Sequence, residues 1–163
     1  MALAKKTGDL FITEIFAERV VHIAAAQFFV RQHYLDFLAR EPDTEGWQFW
    51  AGQITQCGED EHCAERKRVD VSRAFFYSGE FITGTPLLAD GLRGTQTYNE
   101  AFVEQCYLRY LQRPPDADGF QFWVGKLNGR IPYAGDGDYN EMILAFLRST
   151  EYQARAGLFP REQ

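Results

Sequence analysis

Phe29 to Gly52 reads FVRQHYLDFLAREPDTEGWQFWAG, and Phe102 to Gly125 reads FVEQCYLRYLQRPPDADGFQFWVG. Under one constant offset, identical residues fall at Phe29/Phe102, Tyr34/Tyr107, Leu35/Leu108, Arg40/Arg113, Pro42/Pro115, Asp43/Asp116, Gly46/Gly119, Gln48/Gln121, Phe49/Phe122, Trp50/Trp123 and Gly52/Gly125, among others. Chance does not produce such a run, so the chain holds two copies of one unit. Repeat one spans 27–82 and repeat two 98–157. Between them, 83–97 carries Gly84, Pro86, Gly91 and Gly94 and reads as an irregular crossing segment. The whole chain, 1–163, is expected to form a single domain.

Each copy opens with a helical stripe. Phe29, Val30, His33, Tyr34, Phe37 and Leu38 are matched by Phe102, Val103, Cys106, Tyr107, Tyr110 and Leu111. Leu35 and Leu108 lie off the stripe, which suggests a helix covered on two sides. Pro42 and Pro115 should end that helix, because proline disfavours helical geometry in the residue before it. Asp43 and Asp116 then suit N-caps of a second helix, with Gly46 and Gly119 in its first turn, where a side chain would hold two backbones apart. That helix turns Trp47, Trp50, Ala51 and Ile54, or Phe120, Trp123, Val124 and Leu127, inward, while Phe49 and Phe122 point elsewhere. A third helix closes each unit through Phe75 and Ser78, or Phe146 and Ser149. Asp138 and Glu141 have capping-box spacing. Residues 8–25 read as a weaker N-terminal helix, and both chain ends as loose. The fold class is all-α: two pseudo-repeated three-helix units packed as one helical domain, plus that helix.

Composition removes several functions. With 45% hydrophobic residues the chain has ample core material, and at this length roughly 70% of its unfolded surface can be buried. A net charge of -6 argues against nucleic acid, which needs clustered Lys and Arg. The longest uncharged run, Val20 to Val30, is far too short to span a bilayer. No apolar stretch of a secretory signal follows Lys5 and Lys6. The expected location is therefore cytoplasmic for the chain as given, and extracellular or at the cell surface for a fragment of a longer chain.

The run Tyr34-Leu35-x-Phe37-Leu38-x-Arg40-x-Pro42-Asp43-x-x-Gly46-x-x-Phe49-Trp50, ending in Ser78-x-Glu80-Phe81 and repeated through Ser149-x-Glu151-Tyr152, resembles a bacterial domain-of-unknown-function family, DUF4214. The resemblance covers roughly Phe28 to Gly157. It implies an all-helical module of large secreted or cell-surface proteins, often beside adhesin-like or calcium-binding repeats, and a distant likeness to phycobilisome linker repeats. It implies no catalytic residues.

Candidate sites are few. Cys57 and Cys63 flank Gly58-Glu59-Asp60-Glu61-His62. On a continuous helix they would stand about 9 Å apart along the axis, beyond disulfide reach; a loop would bring them together, and this is loop composition. A disulfide is expected, with two free thiols at a helix boundary as the alternative. Cys106 reads as a small buried hydrophobe. Arg40/Asp43 and Arg113/Asp116 read as structural, Asp as cap and Arg as a tie to Glu80 or Glu151. Asp136, Asp138 and Asn140 begin like a calcium loop, but the twelfth position is Leu147 and the central glycine is missing, so loop plus cap is the stronger reading. Tyr77, Tyr98, Tyr133, Tyr139 and Tyr152 sit near helix ends or loops, as core edges or as rings able to stack on sugars. No nucleophile elbow, phosphate-binding loop or zinc-protease motif occurs. Neither enzyme activity nor a cofactor is expected.

The expected function is thus a non-catalytic module binding a protein or glycan at a bacterial surface. An intracellular assembly or linker module is the alternative. A small-ligand or enzymatic domain with a site between the repeats is the third reading.

Overall fold

The computed structural model describes residues 23–129 and 138–156. Every regular element among them is helical. Helix α1 covers 23–38, followed by α2 (Thr44–Thr55), α3 (Glu61–Phe76) and α4 (Gly79–Gly84). The crossing segment holds two 3-10 turns, Pro86–Leu88 and Asp90–Leu92. Then come α5 (Gln96–Cys106), running on into a π-helical turn at Tyr107–Leu111, α6 (Ala117–Leu127), α7 (Tyr139–Arg148) and α8 (Thr150–Ala156). Of the expected N-terminal helix over 8–25, only 23–25 lie within the described residues, and they run unbroken into α1.

The first helix of each copy does not end where proline would end it. It stops earlier, at Ala39 (φ 52°) and Gln112 (φ 54°), both left-handed. The next amide, Arg40 N or Arg113 N, then reaches back to the carbonyl of Tyr34 or Tyr107 at 3.5 Å. That closure spans seven residues, one more than a Schellman motif, around the same kind of left-handed stop, built without the glycine that normally marks it in a sequence.

The closing helix of each copy is split by a serine. Ser78 Oγ donates to Phe75 O (2.9 Å) and accepts from Phe81 N (3.2 Å). Ser149 Oγ does the same with Phe146 O (2.7 Å) and Tyr152 N (3.1 Å). One hydroxyl therefore finishes α3 or α7 and starts α4 or α8, satisfying groups that a helix end leaves open. This turn carries Glu80 and Glu151 to the place described below.

A continuous core joins the copies. Phe76 of α3 lies against Phe102 of α5, ring centroids 4.7 Å apart, and Phe37 meets Tyr110 edge-on at 5.6 Å. Leu88 in the first 3-10 turn is buried, so the crossing segment is pinned by an apolar side chain worth about 1.5–3 kcal/mol. Arg155 of α8 bonds Asp36 of α1 (2.6 Å) and the carbonyls of Tyr110 (2.8 Å) and Arg109 (3.3 Å). Those carbonyls end a helix, so a guanidinium there serves both the open acceptors and the helix dipole. The repeated leucines correct the expectation of a doubly covered helix: Leu35 is half-buried and Leu108 is 36% exposed.

Candidate functional site

The repeated polar residues form one arrangement, made twice. The left-handed stop aims Arg40 over the ring of Tyr34, 5.0 Å from its centroid, and Arg113 over Tyr107 at 5.2 Å. Each guanidinium also grips one carboxylate with two bonds: Arg40 to Glu80 at 2.8 and 2.9 Å, and Arg113 to Glu151 at 2.7 and 3.0 Å. These bonds hold both carboxyls below their ordinary range and raise the arginines. Asp43 accepts from Gly46 N (2.8 Å) and Asp116 from Gly119 N (3.2 Å), each capping its helix. A Cβ on Gly46 or Gly119 would collide with the hydroxyl of Tyr34 or Tyr107. Glycine is thus the notch that admits the tyrosine. Behind it, Trp50 and Trp123 approach Phe75 and Phe146 at 6.3 and 5.9 Å, and Pro42 and Pro115 lie in the short link between stop and cap. All of these polar groups serve the hairpin itself.

Cys57 and Cys63 are joined as a disulfide, with Cα atoms 5.6 Å apart. The loop between them ends in Asp60, whose carboxylate caps α3 through Cys63 N (3.0 Å). Cys106 is free and buried, and burial raises its thiol well above the ordinary value. Of the calcium candidates, Asp136 lies outside the described residues. Asp138 caps α7 through Asn140 N (2.9 Å), and Asn140 accepts from Arg73 (3.2 Å). The capping-box partner Glu141 takes Lys126 instead, at 2.5 Å. Among the described residues no cluster of three or more acidic, His or Cys side chains is placed to hold a metal, and no helix is long and apolar enough to cross a membrane.

A buried polar chain went unrecognised in the sequence. His33 Nδ1 lies 3.0 Å from Phe29 O and Nε2 lies 2.8 Å from Ser72 Oγ, which in turn bonds Tyr110 Oη. A carbonyl only accepts, so Nδ1 carries the proton and Nε2 takes that of Ser72. Tyr110 then donates to Ser72. All three side chains are buried, and burial lowers the His33 pKa to about 4. Repeat two has Cys106 opposite His33 and Ile143 opposite Ser72, while repeat one has Phe37 opposite Tyr110. The chain is therefore a single lock between copies, and the asymmetry of those three pairs is the signal that could have found it. Although it contains a serine beside a histidine, neither reaches solvent.

Two depressions border the repeat junction. One of about 370 Å³ is lined by Ala26, Ile54, Ala64, Glu61, Arg68 and Gln153, and its Glu61 and Arg68 pair with each other. The other, of about 550 Å³, lies between α3 and α7 beside Val69, Asp70, Asn140 and Leu144. Tyr98 and Tyr152 are buried, which removes them as stacking platforms; Tyr77 and Tyr139 are half-buried, and Tyr133 lies outside the described residues. The exposed rings are elsewhere. Phe49 is 57% and Phe122 47% exposed, each edge-on to its neighbouring tryptophan at 4.9 and 5.1 Å.

Neither a curated protein nor a solved structure matches this chain. One family model, described as "Domain of unknown function (DUF4214)", matches twice, over residues 10–84 and 90–156. Each match takes in one complete Tyr–Arg–Asp–Gly–Glu arrangement, and the chain belongs to the DUF4214 family as a tandem pair.

Proposed function

We propose that this chain is a non-catalytic interaction module of a secreted or cell-surface bacterial protein, holding a protein or glycan partner. The observation that carries this reading is the exposure of Phe49 and Phe122 at the same place in both copies. Aromatic rings are enriched where surfaces meet partners, and the fold has no need of either ring in water. The Cys57–Cys63 disulfide supports an oxidising compartment. The burial of His33 and Ser72 supports a role without catalysis, since their pair has no path to a substrate.

Fluorescently labelled protein applied to intact bacterial cells and to a glycan array tests the proposal. Saturable binding that is lost in Phe49→Ala/Phe122→Ala is the expected result. Binding to neither, or binding indifferent to both rings, contradicts it.

A further inference from the structure

The two copies differ at most exposed positions and agree at a few. Arg31 faces Glu104, Thr44 faces Ala117 and Gln56 faces Gly129 across the repeat, all of them exposed. Against that drift, the exposed Gln48-Phe49 recurs as the exposed Gln121-Phe122, and an acid stands three residues before each glutamine, Glu45 or Asp118. Gly52 and Gly125 follow three residues after each ring. Positions i, i+3, i+4 and i+7 share one helical face, so α2 and α6 each carry the same outer stripe of carboxylate, amide, ring and bare backbone.

The fold explains the retained Arg, Asp, Tyr and Glu of the hairpin; it does not explain this stripe. Glu45, Gln48, Asp118 and Gln121 make no hydrogen bond or ion pair with any described side chain, whereas Arg40 and Arg113 nearby are taken by Glu80 and Glu151. A first-turn position favours an acid through the helix dipole, which accounts for one member of the stripe and leaves the glutamine and the ring. Beside Gly52 nothing stands within 4 Å of where a Cβ would be.

We infer that these stripes are two equivalent sites for a basic peptide segment of a partner protein, each seating one Lys or Arg side chain. This deepens the interaction-module reading and rests on it. A cation over a ring face, with a carboxylate one helical turn away, is attracted by both. The glutamine amide offers a donor and an acceptor to the passing peptide backbone, and the glycine leaves that backbone room. A net charge of -6 draws such a partner in. Two sites on one chain give a weak contact avidity when the peptide carries two suitably spaced cations.

Titration of the 15N-labelled full chain with tetra-arginine, tetra-glutamate and cellohexaose, followed amide by amide, tests the assignment. Tetra-arginine should shift Phe49, Gly52, Phe122 and Gly125 saturably, and the other two probes should not. Phe49→Ala should weaken the repeat-one response about fivefold while leaving repeat two unchanged, and Glu45→Gln should weaken it in a salt-dependent way. Shifts spread over the acidic surface that survive in Phe49→Ala/Phe122→Ala overturn the inference, as does a response to cellohexaose alone. Cell-surface binding that needs both rings, with stripes unmoved by tetra-arginine, keeps the interaction module and removes the cationic partner.

Discussion

Arg113 lies over the ring of Tyr107 while its Nε and Nη2 hold Glu151, so one side chain ties the end of the first helix of repeat two to the start of the last. Arg40 makes the same bridge to Glu80. A contact that joins helix ends far apart in sequence belongs to the fold. Arg113→Ala should cost about 1–2 kcal/mol, the sum of an exposed two-bond ion pair and a cation–π contact. Arg113→Lys should recover only part, because an ammonium cannot make the paired bonds. Thermal melts check both, and an unchanged Tm for Arg113→Ala counts against the bridge.

The tyrosine hydroxyl and the glycine notch are coupled. Gly46→Ala should cost about 1–3 kcal/mol through overpacking against Tyr34. Removing the hydroxyl relieves the collision, so Tyr34→Phe/Gly46→Ala should lose less than the two single changes together. A double-mutant cycle in urea measures the difference; strict additivity would mean that the two groups do not meet.

The left-handed stops lack their best residue. An L side chain costs roughly 1–2 kcal/mol in that conformation, and glycine gives back part of this through its freer unfolded chain. Ala39→Gly and Gln112→Gly should each stabilise by up to about 1 kcal/mol. Lower melting temperatures in both would show that the first helix does not end there.

His33 makes stability depend on pH in a defined window. Its folded pKa of about 4 lies below the ordinary 6.5, mainly through burial, with Asp36 opposing and Arg155 reinforcing. The unfolded state therefore takes up a proton first as pH falls. The stabilisation is complete above about 6.5 and is lost progressively between there and 4, on the order of 3 kcal/mol in all. The ion-paired Glu41, Glu65, Glu80 and Glu151 have lowered values and act below 4.5. His33→Gln should flatten the slope between pH 6.5 and 4.5 in denaturant titrations; an identical slope contradicts a neutral buried imidazole.

Thiol chemistry has a definite pattern. The folded protein should take no alkylating label, the unfolded protein one, at Cys106, and the reduced and unfolded protein three. Intact mass reads all three states. Reduction should cost about 2.4 kcal/mol for so short a ring, on the chain-entropy model. Three labels without reductant would remove the disulfide and, with it, the support for an oxidising compartment.

Identity between the copies made the hairpins legible, including Asp43 and Asp116 as caps and Glu80 and Glu151 as the carboxylates for Arg40 and Arg113. Pattern failed where physics left no residue signature. Proline points to a stop that Ala39 and Gln112 make instead, because a left-handed alanine or glutamine looks like any other helical residue. The His33–Ser72–Tyr110 chain was hidden because its members come from different copies and each has an apolar or sulfur counterpart. Tyr98 and Tyr152 lie at helix starts, where a ring can be core edge or stacking platform; both are core, packed on Phe102 and Tyr139 and on Tyr110 of their own copy. Phe49 and Phe122 were visible as off-face rings, but not as the exposed half of a stripe repeated in detail.

Two repeated features divide the work, a structural arginine bridge and an exposed recognition stripe. Melting temperature and cell-surface binding of Arg40→Ala/Arg113→Ala and Phe49→Ala/Phe122→Ala, measured side by side below the lower melting point, test that separation directly. The arginine pair should melt lower and still bind, and the phenylalanine pair should melt normally and not bind. The reverse assignment, with binding lost alongside the arginines and retained without the rings, would contradict it.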